Sequence, residues 1–263
     1  MMLMKKPLVY LPRPEKGSHK GQNGILLVIG GSATYHGAPA LAALAAVRFC
    51  DLVYFASTKE NNALMMKMKG ASPNIIAVPA EKKKFALKHA NCILIGNGMD
   101  VSGETREEVA AVLRSKKKCV IDAAALRCLP LLLLHKNCIL TPHTREFEAA
   151  FGVKGTPKNA AAMAKKYGCT ILLKGKKDAI ASPGRLIHVS GGNAGMTKGG
   201  TGDVLAGLCA ALFSHSNCPS PLSAAYTASL LNKRAGDILH RCIGPNFSSE
   251  DLAGELAFAA RGL

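Results

Sequence analysis

Short apolar runs alternate with longer mixed runs along this 263-residue chain. The runs Ile25–Ile29, Leu52–Ala56, Ile75–Val78, Cys92–Ile95, Cys119–Ile121, Cys138–Leu140 and Thr170–Leu173 are each closed by a glycine, a proline or a polar residue. Being apolar at consecutive positions, they predict strands buried on both faces, as in a parallel sheet sandwiched between helices. Amphipathic or Ala-rich stretches between and after them predict helices over Ala38–Phe49, Asn62–Lys69, Glu104–Ser115, Arg145–Phe151, Asn159–Tyr167, Val204–Phe213, Leu222–Leu239 and Glu250–Ala260. Alternation of this kind is the signature of an α/β fold. Asp178–Ala181 and Leu186–Val189 flank Ser182-Pro183-Gly184-Arg185, which predicts a β-hairpin and so an antiparallel edge. No linker, repeat or low-complexity stretch intervenes, and the length suits one large domain over residues 1–263.

Composition narrows the class. Hydrophobic residues are 48% and charged residues 19% of the chain, which is ordinary for a globular core. The apolar stretch Leu129 to Leu134 falls far short of the ~20 residues of a membrane span, so no membrane partner is expected. Met1 to Pro14 lacks a signal-peptide pattern, which makes the cytoplasm the expected location. The net charge of +17 favours polyanions. However, the lysines are dispersed, as in Lys82–Lys84, Lys116–Lys118 and Lys165-Lys166, and there is no Trp. Aromatic–basic, zinc-finger and helix-turn-helix patterns are missing, so the charge reads as solvated helix ends with some steering of anionic nucleotides, and no nucleic acid is expected. The nine cysteines are an odd number without a C-x-x-C, which reads as reduced, structural thiols with neither a disulfide framework nor a zinc site.

The candidate chemistry collects at the ends of the strands. Gly30-Gly31-Ser32, Gly96-Asn97-Gly98, Asp122, Thr141-Pro142-His143 and Lys174-Gly175 each follow an apolar run, and open α/β sheets bind ligands at that edge. Just before the run Val204–Phe213 lies Gly199-Gly200-Thr201-Gly202-Asp203. Glycines at a helix N-terminus leave backbone amides free to hold an anion, and the helix dipole adds to that. Gly200, Thr201 and Gly202 are therefore candidates for an anion hole. Asp203 at its rim is a candidate base for a hydroxyl about to meet a phosphoryl group. The plain alternative is a helix N-cap supplied by Thr201 or Asp203.

The same residues, with others along the chain, carry a family resemblance. They are His19-Lys20-Gly21, Val28 to Ser32, Tyr35 to Pro39, Gly96 to Gly98, Ile121-Asp122-Ala123, Leu140 to His143, Glu146-Phe147, Leu173 to Gly175 and Asn193 to Gly207. On these the chain resembles the ADP/ATP-dependent NAD(P)H-hydrate dehydratases of the ribokinase-like superfamily. The resemblance implies a mostly parallel central sheet with helices on both faces. It implies repair of hydrated NADH and NADPH with ATP or ADP as co-substrate, by phosphorylation of the ring hydroxyl and expulsion of phosphate. By matching position, Asp203 is the base, and the amides of Gly200, Thr201 and Gly202 stabilise the transferring group. Lys174, Gly175, Lys176, Lys177, Asp178 and Gly202 match the nucleotide-holding positions, and Ala38, Gly98, His143 and Asp203 the hydrate-binding ones. Mg2+ is implied as a companion of the nucleotide, with no residue assigned as a direct metal ligand. A homotetramer is implied too. Because the chain begins almost at His19-Lys20-Gly21, any epimerase acting on the hydrate is expected to be a separate protein.

Three departures from the family pattern stand out. Asp122-Ala123-Ala124 lacks a second carboxylate at Ala124, Arg145 puts a cation where a small turn residue is usual, and Lys198 adds charge beside the anion hole, where it is a candidate phosphate ligand. Two other readings use the same residues. One is a kinase of the superfamily acting on a sugar or a vitamin-precursor alcohol, and the other is a non-catalytic nucleotide-binding regulator. Rival structural roles also exist for single residues: a helix cap for His143, a surface position for Lys174 and a cap of the short turn after it for Asp122.

Overall fold

The protein is described here by a computed structural model covering residues 9–14, 16–68 and 72–263. Nine strands form one sheet in the order β3-β2-β1-β4-β5-β6-β7-β8-β9. They are β1 (Ile25–Ile29), β2 (Leu52–Ala56), β3 (Ile75–Ala77), β4 (Cys92–Ile95), β5 (Lys118–Ile121), β6 (Cys138–Leu140), β7 (Thr170–Leu173), β8 (Asp178–Ser182) and β9 (Arg185–Val189). All pairings from β3 to β7 are parallel, while β7–β8 and β8–β9 are antiparallel. Every predicted strand is present, as is the antiparallel edge.

Two apolar clusters cover the two faces. One joins Leu26, Val28, Leu94 and Val120 to α1 (Gly37–Ala46), α8 (Thr201–Ser214), α9 (Pro221–Ile243) and α10 (Ser249–Ala259). The other joins Leu27, Ile93, Cys119 and Ile171 to α3 (Lys83–His89), α4 (Gly103–Arg114), α5 (Ala124–Arg127), α6 (Thr144–Phe151) and α7 (Pro157–Tyr167). Alternate residues of the same strand enter opposite clusters, as strand geometry requires. The remaining helix, α2 (Lys59–Lys67), starts three residues before the predicted Asn62–Lys69, whose last residue lies outside the described residues, as do Met1 to Leu8 of the N-terminal segment. Two helices were not foreseen. α3 buries only Ala86 and is otherwise lysine-rich, so it shows no apolar stripe, and α5 has four residues. The helix predicted to reach Phe49 stops at Ala46.

Two glycines bring the working parts together. An ideal Cβ on Gly96 would lie 1.9 Å from the carbonyl oxygen of Asp122, and its φ is +121°. Glycine there lets the end of β4 pass against the end of β5, which sets Asn97 beside Asp122. Gly207 in α8 is as crowded, its ideal Cβ falling 2.1 Å from the Ala42 carbonyl oxygen of α1. The small residues of α1, GAPALAALAA, permit this close crossing. Gly207→Ala is therefore expected to cost roughly 1–3 kcal/mol through overpacking. The check is urea unfolding, with a lower midpoint at unchanged slope.

Candidate functional site

The candidate anion hole lies at the start of α8. Its N-cap is Gly200 at φ +93°, where an ideal Cβ would fall 2.5 Å from Leu41 Cδ1 and 2.7 Å from Ser249 Oγ, and no side chain caps the helix. Thr201 Oγ1 instead donates to the carbonyls of Met196 at 2.8 Å and Lys198 at 3.0 Å. Asp203, in the first turn, accepts from Asn97. Neither residue acts as the ordinary cap that the sequence left open, so no side chain competes with a ligand for the first-turn amides.

Around that terminus the strand ends bring a charge cluster together. Asp122, 2% exposed, accepts from Thr141 Oγ1 at 2.8 Å, Lys174 Nζ at 2.9 Å and Asn97 Nδ2 at 3.0 Å. The same Asn97 amide donates to Asp203 Oδ1 at 2.7 Å. Lys174 also stands 3.6 Å from Glu146 Oε2. Burial works against the Lys174 charge, but Asp122, then Glu146 and more remotely Asp203, outweigh it and hold the ammonium above its usual range. Asp203 moves the other way for a carboxylate. Burial and the neighbouring Asp122 push its pKa up to about 6, against the Asn97 hydrogen bond and the Lys174 charge, which hold it down. It is thus a carboxylate near the balance point a general base needs.

Two cavities meet at this cluster. The first, about 710 Å³, is lined by Lys174, Gly175, Lys176, Asp178, the Gly191–Ala194 loop and the start of α8. The second, about 630 Å³, is lined by Tyr35, Met99, Arg127, Arg145 and Glu146, among others. His143 lines both, and the Lys174–Glu146 contact bridges from one to the other.

The expected residues fall into place unevenly. His143 is indeed a cap: its Nδ1 accepts from the amides of Arg145 at 3.1 Å and Glu146 at 3.3 Å, and Glu146 returns a bond to the His143 amide at 2.8 Å. It is a cap whose imidazole also reaches the cavities. Lys174 is no surface lysine, and Asp122 does not cap α5, whose N-cap is Ala123 at φ +49°. Asp178 lies on the first cavity, but its carboxylate is occupied internally. Oδ1 accepts from the Gly175 amide at 2.8 Å and sits 3.4 Å from Lys233, and Oδ2 accepts from Ser229 at 2.7 Å. Lys177 is exposed and absent from the lining. Ala38 and Gly98 are not among the residues lining either cavity; Gly98, at φ +70°, packs on Tyr35 and Pro39 beside the second. Lys198 does not face the anion hole. Its Nζ donates to the carbonyls of Phe247 at 2.6 Å and Pro245 at 3.2 Å, which corrects the expectation of a phosphate ligand. The other two departures, Ala124 and Arg145, both line the second cavity.

Sequence reasoning missed Lys233, which is 7% exposed and donates to the carbonyls of Gly175 and Lys176, each at 3.1 Å. It also missed Asp237, which accepts from the Gly192 amide at 2.9 Å and Asn193 Nδ2 at 3.1 Å. The only signal was a polar Asn232-Lys233-Arg234 interrupting the apolar pattern of α9.

A family model described as NAD(P)H-hydrate dehydratase matches residues 26–256. The chain belongs to this family. It is 36% identical over 270 residues to the ADP-dependent (S)-NAD(P)H-hydrate dehydratase of Nitrosopumilus maritimus, covering 94% of this chain and 92% of that one. It is likewise 36% identical to the bifunctional NAD(P)H-hydrate repair enzyme of Archaeoglobus fulgidus, covering 89% of this chain but 50% of the longer protein. Its fold overlays the Bacillus subtilis ADP/ATP-dependent NAD(P)H-hydrate dehydratase, co-crystallised with ATP/Mg2+, at a TM-score of 0.81 and 25% identity over 95% of this chain and 93% of that one. The ribokinase-like architecture inferred from the sequence is therefore the architecture of the dehydratase family.

The raised pKa of Asp203 has a cost in stability. Between about pH 4 and 6 the folded state holds this proton more tightly than the unfolded chain, so stability falls as pH rises through that window. Asp203→Asn is therefore expected to be the more stable protein at neutral pH by roughly 1–3 kcal/mol. Its advantage should vanish below about pH 4. Urea unfolding of both proteins at the two pH values measures this.

Proposed function

We propose that this member of the family restores hydrated NADH and NADPH by nucleotide-dependent dehydration. The observation that carries the reading is Asp203, its pKa raised to about 6 in the first turn of an uncapped helix and tied through Asn97 to the Asp122–Lys174 pair. Asp203 itself lines neither cavity, while its neighbours Thr201 and Gly202 and the half-buried Lys174 line the first. In this reading the first cavity takes ATP or ADP. Lys174, Gly175, Lys176 and Gly202 contact the nucleotide, while Lys177 and Asp178 shape the segment around it. The second cavity takes the hydrate, with His143 between the two and with Gly98 and the α1 start at Ala38 forming its border.

The chemistry follows from the groups present. Asp203 accepts the proton of the ring hydroxyl, and that oxygen attacks the terminal phosphoryl group. The amides of Gly200, Thr201 and Gly202, with the Lys174 ammonium, offset the charge that develops on the transferring oxygens. The ester then loses phosphate by C–O cleavage as the ring nitrogen donates its electron pair, and loss of a proton from the adjacent carbon restores the dihydropyridine. Phosphate leaves far more readily than hydroxide, which is why the nucleotide is needed. Asp122 does not react. It keeps Lys174 charged and in position, and through Asn97 it ties that lysine to the base.

Mg2+ belongs to this reading as the companion of the nucleotide, and it would supply further neutralisation of phosphate charge. The carboxylates at the junction suit a hard cation, and Asp122 already accepts from three donors. Glu146 is engaged by the His143 amide and by Lys174, so the phosphates would provide most of the coordination. The reading also includes a cytoplasmic location, consistent with nine free cysteines, and a homotetramer, for which Leu132 and Phe258 offer exposed apolar surface. Among the described residues no helix is long and apolar enough to cross a membrane.

The test is recovery of reduced-nicotinamide absorbance from purified NADPH hydrate with Mg2+ and either nucleotide. Wild type is expected to be active with an acid limb near pH 6, because Asp203 must be deprotonated to act. Asp203→Ala should lose about 10²–10⁴-fold in rate. Accumulation of a stable phosphate ester of some alcohol, without recovery of the dinucleotide, would identify a kinase instead. Nucleotide binding without turnover, unchanged in Asp203→Ala, would identify a binding module.

Lys233 gives a separate outcome. Its bonds pre-form the Gly175–Lys176 wall, so Lys233→Met is expected to raise the nucleotide KM severalfold while kcat changes little. Steady-state kinetics at saturating hydrate read this directly.

A further inference from the structure

A second cluster of reactive side chains lies at the other edge of the sheet. Cys119 is the second residue of β5 and Cys138 the first of β6, and the two are directly paired in the parallel ladder. Both are fully buried, and their sulfurs are 3.5 Å apart. His135, three residues before Cys138, brings one imidazole nitrogen to the pair, so that the three ligand atoms lie within 4.8 Å of one another. Its Nε2 is buried without a hydrogen-bond partner, and its Nδ1 receives only a long 3.3 Å contact from the Asn137 amide. Buried polar nitrogens are rarely left in this state.

We propose that Cys119, His135 and Cys138 form a structural site for a thiophilic d10 cation of the Zn2+ class. Three physical points support it. Sulfurs sharing a tetrahedral zinc at about 2.3 Å stand about 3.7 Å apart, close to the spacing already present. Two thiolates and a neutral imidazole balance the double charge of the ion, which a buried site needs. Each thiol gives up its proton on binding, so the site fills more readily as pH rises. The half-buried His135 provides the approach from solvent, and a water there completes a fourth position. Cys169 precedes β7, whose Thr170 pairs with Ile139, so a third buried thiol stands next in the same row. It is a neighbour and no member of the group, whose close ligand atoms come from Cys119, His135 and Cys138 alone.

Bound metal would tie the β5 start to the loop entering β6. The site lies at the opening ends of strands whose closing ends carry Asp122 and Thr141, and so is separate from the charge cluster.

The test uses the full chain, reduced and stripped of metal with a chelator. Zn2+ is titrated against a chromophoric chelator, and Co2+ is added separately to look for a thiolate-to-cobalt charge-transfer band. One tight equivalent, the cobalt band and a higher melting temperature with Zn2+ are expected. Cys138→Ser and His135→Gln should each weaken binding at least about tenfold and abolish the thermal shift. His135→Gln, at a half-buried loop position, decides the matter if Cys138→Ser does not fold. No stoichiometric binding would overturn the proposal, as would affinity unchanged in His135→Gln, which would mean adventitious binding at other side chains. A Cys119–Cys138 disulfide in the protein as isolated, detected by alkylation and mass spectrometry, would also overturn it.

Discussion

The buried ion pair between Lys174 and Asp122 is the constraint on which the site depends. A carboxylate taken almost wholly out of water must be compensated, and here Lys174, Asn97 and Thr141 converge on it from three strand ends. Removing one partner would leave an uncompensated buried charge, so the pair fixes the relative heights of β4, β5, β6 and β7 at their carboxyl edge. Its influence then passes to function. Asp122 holds Lys174 protonated and, by repulsion, helps lift Asp203 into the range where it can exchange a proton near neutrality. One carboxylate thus biases the protonation of both Lys174 and Asp203.

Helix α8 supplies the other half of the device. It is buried from Val204 to Ser214 and crosses α1 so closely that a side chain at Gly207 would overlap the Ala42 backbone. That rigid seat is what permits an uncapped N-terminus. The amides there lack side-chain partners, and only tight packing behind them prevents the first turn from fraying or rotating toward some internal acceptor. The stability given up at the terminus and at Asp203 is offset by apolar burial elsewhere in the helix.

The two cavities differ in how they are built. The first has walls held by buried charges, Asp178 with Lys233 and Asp237 with the Gly192–Asn193 amides, so its backbone is pre-formed. The second is bordered by exposed side chains, Arg127 and Arg145 among them, and it carries both of the departures from the family pattern that face a cavity. Lys198, which looked on the sequence like a third change to the site, is spent on the carbonyls of Pro245 and Phe247.

The sequence by itself determined the α/β class, the nine strands, the antiparallel edge and the family, and it singled out Asp203 as the candidate base. These rest on local signals: consecutive apolar residues buried on both faces, a Pro-Gly turn, and glycines beside a helix start. It left α3 unmarked, because a helix that buries one alanine shows no stripe. Single residues at strand ends remained ambiguous between cap and ligand, and His143 turned out to be a cap on the cavity wall. Only the tertiary structure decided which charges meet. Lys174 and Asp122 are 52 positions apart and Asn97 and Asp203 are 106 apart, and no periodicity encodes such distances. The same holds for Cys119 and Cys138, which look like isolated core thiols until strand register sets them side by side. Register and burial, which are properties of the assembled sheet, bring scattered polar residues together as a carboxylate with a raised pKa, a charge-paired lysine and two facing thiols.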